Sequence, residues 1–482
     1  MSRRRKSDKK KKVNIVSIII FIILLLISIG VIGTVLSLGI LPLKYLIPLL
    51  IILILLYFGV GKLIFTKKIK IWVKIVLDVI SIILIFIYIF VFYYLNSTLH
   101  FMDMIQAENY QTENYYVLVH KDSSIEELEE IKNIGILEKN DEKYNDALNK
   151  LNEKHETNQT KYKTYIELGN SLIKKEVESI LMSASYKDIV SEIIEEFSNN
   201  VKIIYTIETK SESEIEIKEK NITDEPFNIY ISGIDIYGDI TSVSRSDVNM
   251  VMTVNPKAHT ILLTSIPRDY YVRLHGTTGT KDKLTHAGLY GVNMSIETIE
   301  DLLDEEIDYY VRVNFTTLIN LVDAVGGIDI YSDTAFRAYT DPTCYFTVGN
   351  MHLGGKCVLA YARERFAYSD GDRHRVRNQQ DVISAIMKKA LSSRTLITKY
   401  TNILESMGDS FQTNIPSENI YELINKQLDT MPNWTFDTYS LNGYDSSGKT
   451  YTFGDQILYV MEPEETTITE AINKIDACKK AK

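Results

Sequence analysis

Cysteine and histidine are scarce in this chain, and the patterns that bind structural metals are missing from it. The 482 residues include 3 cysteines and 8 histidines, with no CxxC pair and no histidine-rich stretch. A structural zinc site needs four such ligands, so the sequence argues against one. Cys344 and Cys357 lie close in sequence, which leaves two readings open: a disulfide in an extracellular region, or two buried thiols. Cys478 has no evident partner.

An excess of positive charge is also missing, because the formal net charge is −10. The charge is distributed unevenly. Residues 1–95 contain fourteen Lys or Arg and two Asp, a net charge of +12, so residues 96–482 carry −10 − 12 = −22. Affinity for nucleic acid comes largely from neutralising phosphates. We therefore expect no nucleic-acid partner for this acidic part.

Three long apolar runs explain the basic beginning of the chain. They occupy about residues 13–41, 44–66 and 72–97, and a helix that spans a membrane needs ~20 apolar residues. The segment 1–12 and the connection 62–74 are rich in Lys and Arg. The positive-inside rule places both in the cytoplasm. The sequence thus predicts a multi-pass cell-membrane protein with a cytoplasmic N-terminus and a large extracellular part after about residue 98.

Charged residues then gather where strands of an α/β pattern begin and end. Asp235 closes an alternating apolar strand, Arg245 and Asp247 begin the next strand on one face, and Arg268 follows the returning strand. Open α/β sheets commonly hold their sites at such strand ends. Two carboxylates are ligands that Mg²⁺ accepts beside phosphate oxygens and water. The alternative is a set of ordinary turn residues and surface ion pairs.

A second group is the segment Arg363-Glu364-Arg365, followed by residues 371–380. If Ala360 to Arg365 is extended, Arg363 and Arg365 share a face while Glu364 points away. If the chain is helical from Arg375 to Leu391, Arg375 and Gln379 are neighbours on one face. Arginine grips phosphate oxygens in pairs, so this group would suit a diphosphate. The alternative is a solvated face of salt bridges, with Asp372 as a helix N-cap.

The set of segments, read in order, resembles the LytR-CpsA-Psr family of Gram-positive cell envelopes. The segments are Gly233-Ile-Asp235, Arg245-Ser-Asp247, Ser265 to Asp269, Asp282 to Ala287, Val325 to Asp329, Gly349 to Gly354, Ala360 to Arg365 and Gly371 to Gln380. The three spans followed by an extra domain resemble the capsule-type branch. The chain has His374 and Asn378 where many relatives have Gly and Arg, which we interpret as subgroup variation.

The resemblance implies an α-β-α sandwich with a central mixed sheet and a hydrophobic polyprenyl tunnel. The expected organisation is a basic cytoplasmic tail (1–12), three transmembrane helices (13–98), a small accessory α/β domain (103–222), a LytR-CpsA-Psr catalytic domain (224–465) and a C-terminal tail (466–482). We place the lipid, as a hypothesis, between the helices expected at Ser295–Leu303 and Thr316–Val325.

The resemblance also implies roles for individual residues. Asp235 and Asp247 match its magnesium-associated aspartates, with Mn²⁺ as an alternative ion, and Asp372 matches an acidic position that suits a general base or its orienter. Asp372, Arg245, Arg268 and Arg375 are the expected catalytic residues. The residues expected to bind the pyrophosphate are Arg245, Arg268, Arg363, Arg365, Arg375, Gln379 and Lys283.

The implied function is a Mg²⁺-dependent phosphotransferase. It would move a glycopolymer (capsule, teichoic acid or similar) from an undecaprenyl-diphosphate carrier onto peptidoglycan and release undecaprenyl phosphate. A polyprenyl-diphosphate phosphatase, with water as acceptor, is one alternative. A membrane-bound attenuator of transcription is another, although few residues face the cytoplasm. A purely structural wall-binding module is the third.

Overall fold

The computed structural model describes residues 15–38, 41–66, 69–106, 110–138, 141–212, 220–236, 240–392, 403 and 411–482. These residues form two compact units. The first consists of Met1–Asp103 with Ser417–Pro432, and the second of Met104–Pro416 with Asn433–Lys482.

The first unit contains three helices that are long and apolar enough to cross a membrane. They are α1 (Ile15–Leu38), α2 (Leu43–Phe65) and α3 (Ile71–Gln106), close to the predicted spans. Two polar contacts lie among them: Ser17 donates a hydrogen bond of 2.8 Å to Asp78, and Lys74 donates one of 2.9 Å to the carbonyl of Ile64. The length and apolar composition of the three helices indicate that the protein is anchored in a membrane. The unit also includes helix α13 (Ser417–Thr430), which comes much later in the sequence.

The second unit begins with a small α/β domain built on a five-stranded sheet of order β3-β2-β4-β1-β5. Its strands are β1 (Tyr110–His120), β2 (Asn133–Leu137), β3 (Asn158–Tyr162), β4 (Ser179–Ser183) and β5 (Val201–Glu212); its helices are α4 (Glu142–Lys154), α5 (Tyr165–Ile173), α6 (Ala184–Ile193) and α7 (Phe197–Asn200). The pattern of the sequence from Glu167 to Phe197 predicts one helical stretch. That expectation was wrong, because β4, buried along its whole length, lies inside the sheet and splits the stretch.

The larger domain is a six-stranded mixed sheet of order β16-β11-β6-β7-β8-β17. Its strands are β6 (Phe227–Ile234), β7 (Ser246–Asn255), β8 (Thr260–Ile266), β11 (Tyr309–Val313), β16 (Phe411–Thr413) and β17 (Thr435–Ser440). The pairs β6–β11 and β8–β17 are parallel, whereas β6–β7, β7–β8 and β11–β16 are antiparallel.

Helices cover both faces of this sheet, so the predicted α-β-α sandwich is confirmed. On one face, α9 (Val292–Leu303) and α14 (Glu465–Lys480) enclose a core with Tyr230 and Val251. On the other face lies a layer of α10 (Phe315–Ala324), α11 (Gly355–Arg363) and α12 (Asp372–Ala390). The remaining elements are β9 (Tyr271–Val272), β10 (Asp282–Lys283), α8 (Leu284–Ala287), β12 (Ile328–Ser332), β13 (Phe336–Arg337), β14 (Tyr345–Phe346), β15 (Gly349–Leu353), β18 (Gly443–Thr450) and β19 (Gly454–Pro463).

Helices α10 and α11 approach each other closely, and the residue at the contact explains why. A Cβ atom at Gly355 would lie 2.2 Å from the carbonyl oxygen of Ile319, so only glycine fits there. Beside this contact, a disulfide joins Cys344 and Cys357, whose Cα atoms are 5.5 Å apart. The bond ties the hairpin formed by β13 and β14 to helix α11.

Two local expectations from the sequence differ from the structure. Ala360 to Arg363 is the end of helix α11 and not a strand, because its apolar residues are buried at helical spacing against α10 and α12. Residues 466–482, expected as a tail, are mostly helix α14, which buries Ile468, Ala471 and Ile475 in the core.

The burial of α14 predicts that the C-terminal helix is needed for stability. Ile475 is fully buried, so Ile475→Ala should lower the free energy of unfolding by about 2–5 kcal/mol. Ile457→Ala, at a side chain 56 % exposed, is the matched control and should change it little. Urea denaturation of the full chain in detergent measures both. Equal effects of the two substitutions would contradict the core role of α14.

Candidate functional site

The ends of three neighbouring strands bring charged side chains to one edge of the large sheet. Asp235 follows the carboxyl end of β6, Asp247 lies at the amino end of the antiparallel strand β7, and Arg268 follows the carboxyl end of β8. The pairing of β6 with β7 shifts register here, from Gly233 opposite Val248 to Ile234 opposite Ser246. Asp247 is therefore the extra residue of a β-bulge, a device that re-aims side chains at functional sites.

Carboxylates from different elements hold four arginines in place. Arg268 lies 2.8 Å from Asp247, Arg363 lies 3.5 Å from Asp235, Arg375 lies 2.6 Å from Asp372, and Arg245 lies 2.8 Å from Glu192. The Arg245–Glu192 pair has two hydrogen bonds, of 2.8 and 3.0 Å. The fifth arginine, Arg365, stacks on the ring of Phe366 at 4.8 Å. The side chains thus form an ordered array with a residual positive charge.

The two aspartates experience opposite effects on ionisation. Burial and the nearby carboxylate of Asp247 raise the pKa of Asp235 above its usual range. Burial also opposes ionisation of Asp247, but the guanidinium groups of Arg268, Arg245 and Arg375 outweigh it and lower its pKa. Asp247 is therefore firmly ionised. Asp235 is the carboxylate that gains most from an added cation.

Glu364 organises the loop that carries the arginines after α11. Its buried carboxylate accepts hydrogen bonds from the backbone N–H groups of Arg365, Phe366 and Ala367, at 3.1, 2.8 and 3.1 Å. The N–H of Tyr339 donates a fourth, at 2.7 Å. Glu364 does point away from the arginine cluster, as predicted, although the cause is a helix end and not strand alternation. The end of α11 places Arg363, and the loop places Arg365, on one cavity.

That cavity has a volume of about 350 Å³ and is lined by both charged and apolar groups. The charged and amide side chains that line it are Glu192, Asp235, Arg245, Asp247, Arg268, Asn314, Arg363, Arg365, Arg375 and Gln379. The apolar part lies between the sheet and the layer of α10, α11 and α12, and is lined by Ile231, Val248, Val313, Phe315, Leu318, Leu359, Val382 and Ile383. Within the described residues, the buried Nε atoms of Arg268 and Arg375 donate no hydrogen bond, although the Nε of Arg268 lies 3.5 Å from the carboxylate of Asp269. Buried donors without a hydrogen bond are costly, so an anion at this position would be stabilised.

The structure gathers most of the predicted site residues, but not all. Two of them, Asp372 and Lys283, do not line the cavity. Asp372 contacts Arg375 at 2.6 Å, and Lys283 is paired with Asp269 at 3.0 Å. Helix α10 lines the apolar part as predicted, whereas α9 does not, because its apolar stripe is buried in the core on the opposite face of the sheet. Glu192 was missed, since it belongs to the small domain and has no motif around it.

The carboxylates of Asp235 and Asp247 could bind a Mg²⁺ ion only if a bound ligand supplied further oxygen atoms. Asp235 and Asp247 supply two hard oxygen donors on one cavity, and their proximity raises the pKa of Asp235. In the described ranges no cluster of three or more His, Cys, Asp or Glu could hold a metal ion. Mg²⁺ is commonly held by one or two carboxylates together with phosphate oxygens and water. The two aspartates therefore suit an ion that arrives with a phosphorylated ligand.

Three membrane-length helices and an arginine-lined cavity with an apolar interior define the class: a membrane-anchored α/β protein built to hold an amphiphilic anion. The profile of the LytR_cpsA_psr family matches residues 190–471. The chain belongs to this family, as the sequence motifs predicted. The matched region extends into α14, which agrees with the burial of that helix in the core.

Known proteins similar to this chain carry a consistent description. It is 35 % identical over 237 residues (49 % of this chain, 76 % of the relative) to the polyisoprenyl-teichoic acid–peptidoglycan teichoic acid transferase TagU of Bacillus cereus strain AH820. The protein of that name from Enterococcus faecalis is 34 % identical over 225 residues, 46 % of this chain and 71 % of the relative. The crystal structure of Bacillus subtilis TagV is 32 % identical and covers 54 % of this chain and 99 % of that one, with a TM-score of 0.45.

A second profile, described as a DNA polymerase processivity factor, matches residues 51–182. This stretch includes most of α2, all of α3 and the first part of the small domain. It covers much less than half of the chain and includes two membrane-length helices. We therefore draw no function from it.

The Asp247–Arg268 pair predicts a pH-dependent loss of stability. Asp247→Asn removes one partner of a buried ion pair, which costs about 3–5 kcal/mol. Folding lowers the pKa of Asp247 below its unfolded value of ~3.9. The ion pair therefore contributes its full stabilisation above pH ~3.9, and this contribution is lost as the pH falls through the pKa of the folded state. The difference in the free energy of unfolding between Asp247→Asn and wild type should be largest at pH 7 and should decrease below pH ~4. Urea denaturation across pH measures it, with Asp455→Asn, at a side chain 96 % exposed, as the control.

The Arg245–Glu192 pair predicts that the small domain weakens anion binding. Glu192 occupies two N–H groups of Arg245 and adds negative charge to the cavity. Glu192→Gln should therefore tighten the binding of inorganic pyrophosphate by about two- to fivefold, the equivalent of the ~0.5–1 kcal/mol of a partly exposed ion pair. Titration calorimetry on the full chain measures it, with Glu195→Gln as the control. Weaker binding by Glu192→Gln would instead mean that Glu192 holds Arg245 in its binding position.

Proposed function

We propose that this chain is a membrane-anchored phosphotransferase that moves a glycopolymer from an undecaprenyl-diphosphate carrier onto peptidoglycan. The observation that carries the proposal is one cavity in which a five-arginine array opens into an apolar interior. A lipid diphosphate has the same division between charged and apolar parts. The names of the relatives describe polyisoprenyl-linked teichoic acid as donor and peptidoglycan as acceptor. They support a teichoic acid or a similar polymer here.

The arginine array supplies the electrostatics of phosphoryl transfer. Charge develops on the phosphoryl oxygens and on the leaving group during such a reaction, and pre-organised cations stabilise it. Arg268 and Arg375 each have a buried donor that is not used within the described part of the chain. Arg363, Arg365 and Gln379 lie on the same cavity. We assign these side chains to the diphosphate.

The apolar interior is assigned to the first part of the polyprenyl chain. A cavity of about 350 Å³ is at the lower end of the range for ligand pockets, ~300–1,000 Å³. It would hold the diphosphate and the first carbons, while the rest of the lipid stays outside. Leu318 of α10 and Leu359 of α11 face this interior. Three membrane-spanning helices suit an enzyme whose donor is itself fixed in a membrane.

Mg²⁺, or Mn²⁺ in its place, is proposed as the ion held by Asp235 and Asp247. When bound, it would neutralise part of the charge of the diphosphate. The support is the pair of carboxylates on the cavity and the raised pKa of Asp235, which a cation would relieve. The basic segments 1–12 and 62–74 support a cytoplasmic N-terminus. That orientation places the large second unit outside the cell.

In the proposed reaction, a hydroxyl oxygen of peptidoglycan attacks the phosphorus nearer the glycan. The new P–O bond joins polymer and wall, the bridging P–O bond breaks, and undecaprenyl phosphate leaves with the electron pair. The proton of the hydroxyl passes to a carboxylate, for which we propose Asp372. Because Asp372 is 2.6 Å from Arg375, it also orients that guanidinium group.

The decisive experiment supplies the full chain in nanodiscs with a short synthetic lipid-diphosphate sugar, Mg²⁺ and soluble peptidoglycan oligomers. Mass spectrometry should detect a phosphodiester between sugar and peptidoglycan. Arg365→Ala should lower kcat/KM by about 10- to 100-fold, as expected for a lost charge-assisted hydrogen bond of ~1.5–3 kcal/mol. Arg337→Ala, at an exposed arginine of β13, is the control. Removal of Mg²⁺ should abolish turnover.

Acceptor dependence distinguishes transfer from hydrolysis. Release of a sugar phosphate at a rate that is insensitive to peptidoglycan would identify a phosphatase. Wild-type rates in both Arg365→Ala and Asp247→Asn would exclude catalysis at this cavity and favour a structural wall-binding role.

A further inference from the structure

A second cavity, of about 200 Å³, lies at the beginning of helix α12 on the other side of Arg375. Its lining is mixed: the polar side chains are Asp372, Arg373, Arg377, Ser440 and Asn442, and the apolar ones are Pro267, Val376, Leu441 and Met461. No residue lines both this cavity and the arginine-lined one. The two are nevertheless adjacent, because Pro267 directly precedes Arg268 and Asp372 contacts Arg375 at 2.6 Å.

The carboxylate of Asp372 therefore stands between the two cavities. Asp372 contacts Arg375, which lines the first cavity, and Asp372 itself lines the second cavity. A group that accepts the proton of an attacking hydroxyl must lie within hydrogen-bond reach of that hydroxyl. A nucleophile bound in the second cavity would satisfy this requirement, and the position of Asp372 outside the arginine-lined cavity then has a reason.

Asp445 and Tyr459 adjoin the second cavity through the lining residue Arg373 and form its rim, which offers groups that suit a sugar ring. Arg373 donates hydrogen bonds to the side chain of Asn442 at 3.0 Å and to Asp445 at 3.3 Å. The hydroxyl of Tyr459 donates to Asp445 at 2.9 Å, and Tyr459 is 45 % exposed. Planar polar side chains offer donors and acceptors to hydroxyl groups. An exposed aromatic ring offers an apolar face to the C–H side of a pyranose.

We propose that the second cavity and its rim form the subsite for the acceptor glycan, with Asp372 as the group that takes the proton of its hydroxyl. This inference rests on the proposed transferase function and names the place where its acceptor binds. In the reaction, the O–H bond of the acceptor breaks toward Asp372 while its oxygen forms the new P–O bond. The bridging P–O bond of the diphosphate breaks, and its electrons leave with the lipid phosphate.

The test separates the acceptor from the donor in the kinetics of the full chain in nanodiscs. Tyr459→Ala should raise the KM for soluble peptidoglycan oligomers by about three- to tenfold, the size of a lost ring contact. The KM for the lipid-diphosphate donor should stay unchanged. Tyr459→Phe, which keeps the ring, should stay close to wild type. Tyr444→Ala is the matched control, because Tyr444 is 62 % exposed on the paired strand β18 but lies opposite Glu462, on the other face of the hairpin from Met461 and Tyr459.

A second variant and a second readout protect the test against misfolding. Arg373→Ala should weaken the direct binding of peptidoglycan oligomers without donor, while the binding of inorganic pyrophosphate stays unchanged. An equal rise in donor KM, or an unchanged acceptor KM in both Tyr459→Ala and Arg373→Ala, overturns the proposal. If the wild type binds oligomers through Tyr459 and Arg373 but transfers nothing, the proposed function fails and the glycan subsite remains.

Discussion

Five guanidinium groups on one cavity repel each other, and the structure around them depends on how that repulsion is balanced. Two unit charges 4 Å apart interact by ~4 kcal/mol at an effective dielectric constant of 20. Four carboxylates are each paired with a different arginine, and Asp269 lies between Arg268 and Lys283, so the net charge of five arginines, one lysine and five carboxylates is 6 − 5 = +1. The pairing fixes each guanidinium before a ligand arrives. It also leaves the site cationic, which suits an incoming diphosphate.

Three of the four ion pairs in this balance join different elements, so the array exists only in the complete fold. The β-bulge at Asp247 aims one carboxylate at Arg268. The end of α11 carries Arg363 to Asp235, and the backbone hydrogen bonds accepted by Glu364 hold the loop that follows. Helix α6 of the small domain contributes Glu192. The small domain is thus part of the electrostatics of the site and not a separate appendage.

The sequence predicted the parts of this arrangement that depend on short-range patterns. Alternating apolar residues indicated β6, and helical spacing placed Arg375 and Gln379 on one face of α12. Ala360 to Arg365 was misread because a short apolar run has no period that distinguishes strand from helix. The burial of α14 depends on contacts made across the sheet, and the position of Glu192 depends on how two domains meet. Neither feature could be predicted from the local sequence. The position of Asp372 outside the arginine-lined cavity could not be predicted from it either.

The geometry of phosphoryl transfer restricts where an acceptor can enter. The attacking and leaving oxygens lie roughly in line through phosphorus, so the hydroxyl has to approach from the side opposite the lipid phosphate. The apolar interior between the sheet and helices α10 to α12 is the side that suits the lipid. An acceptor that entered through it would bury hydroxyl groups without partners, which is costly. The approach that remains passes the beginning of α12, where Asp372 and the second cavity lie. In the proposed reaction, the two cavities then correspond to the two substrates, and Arg375 and Asp372 form the boundary at which they would react.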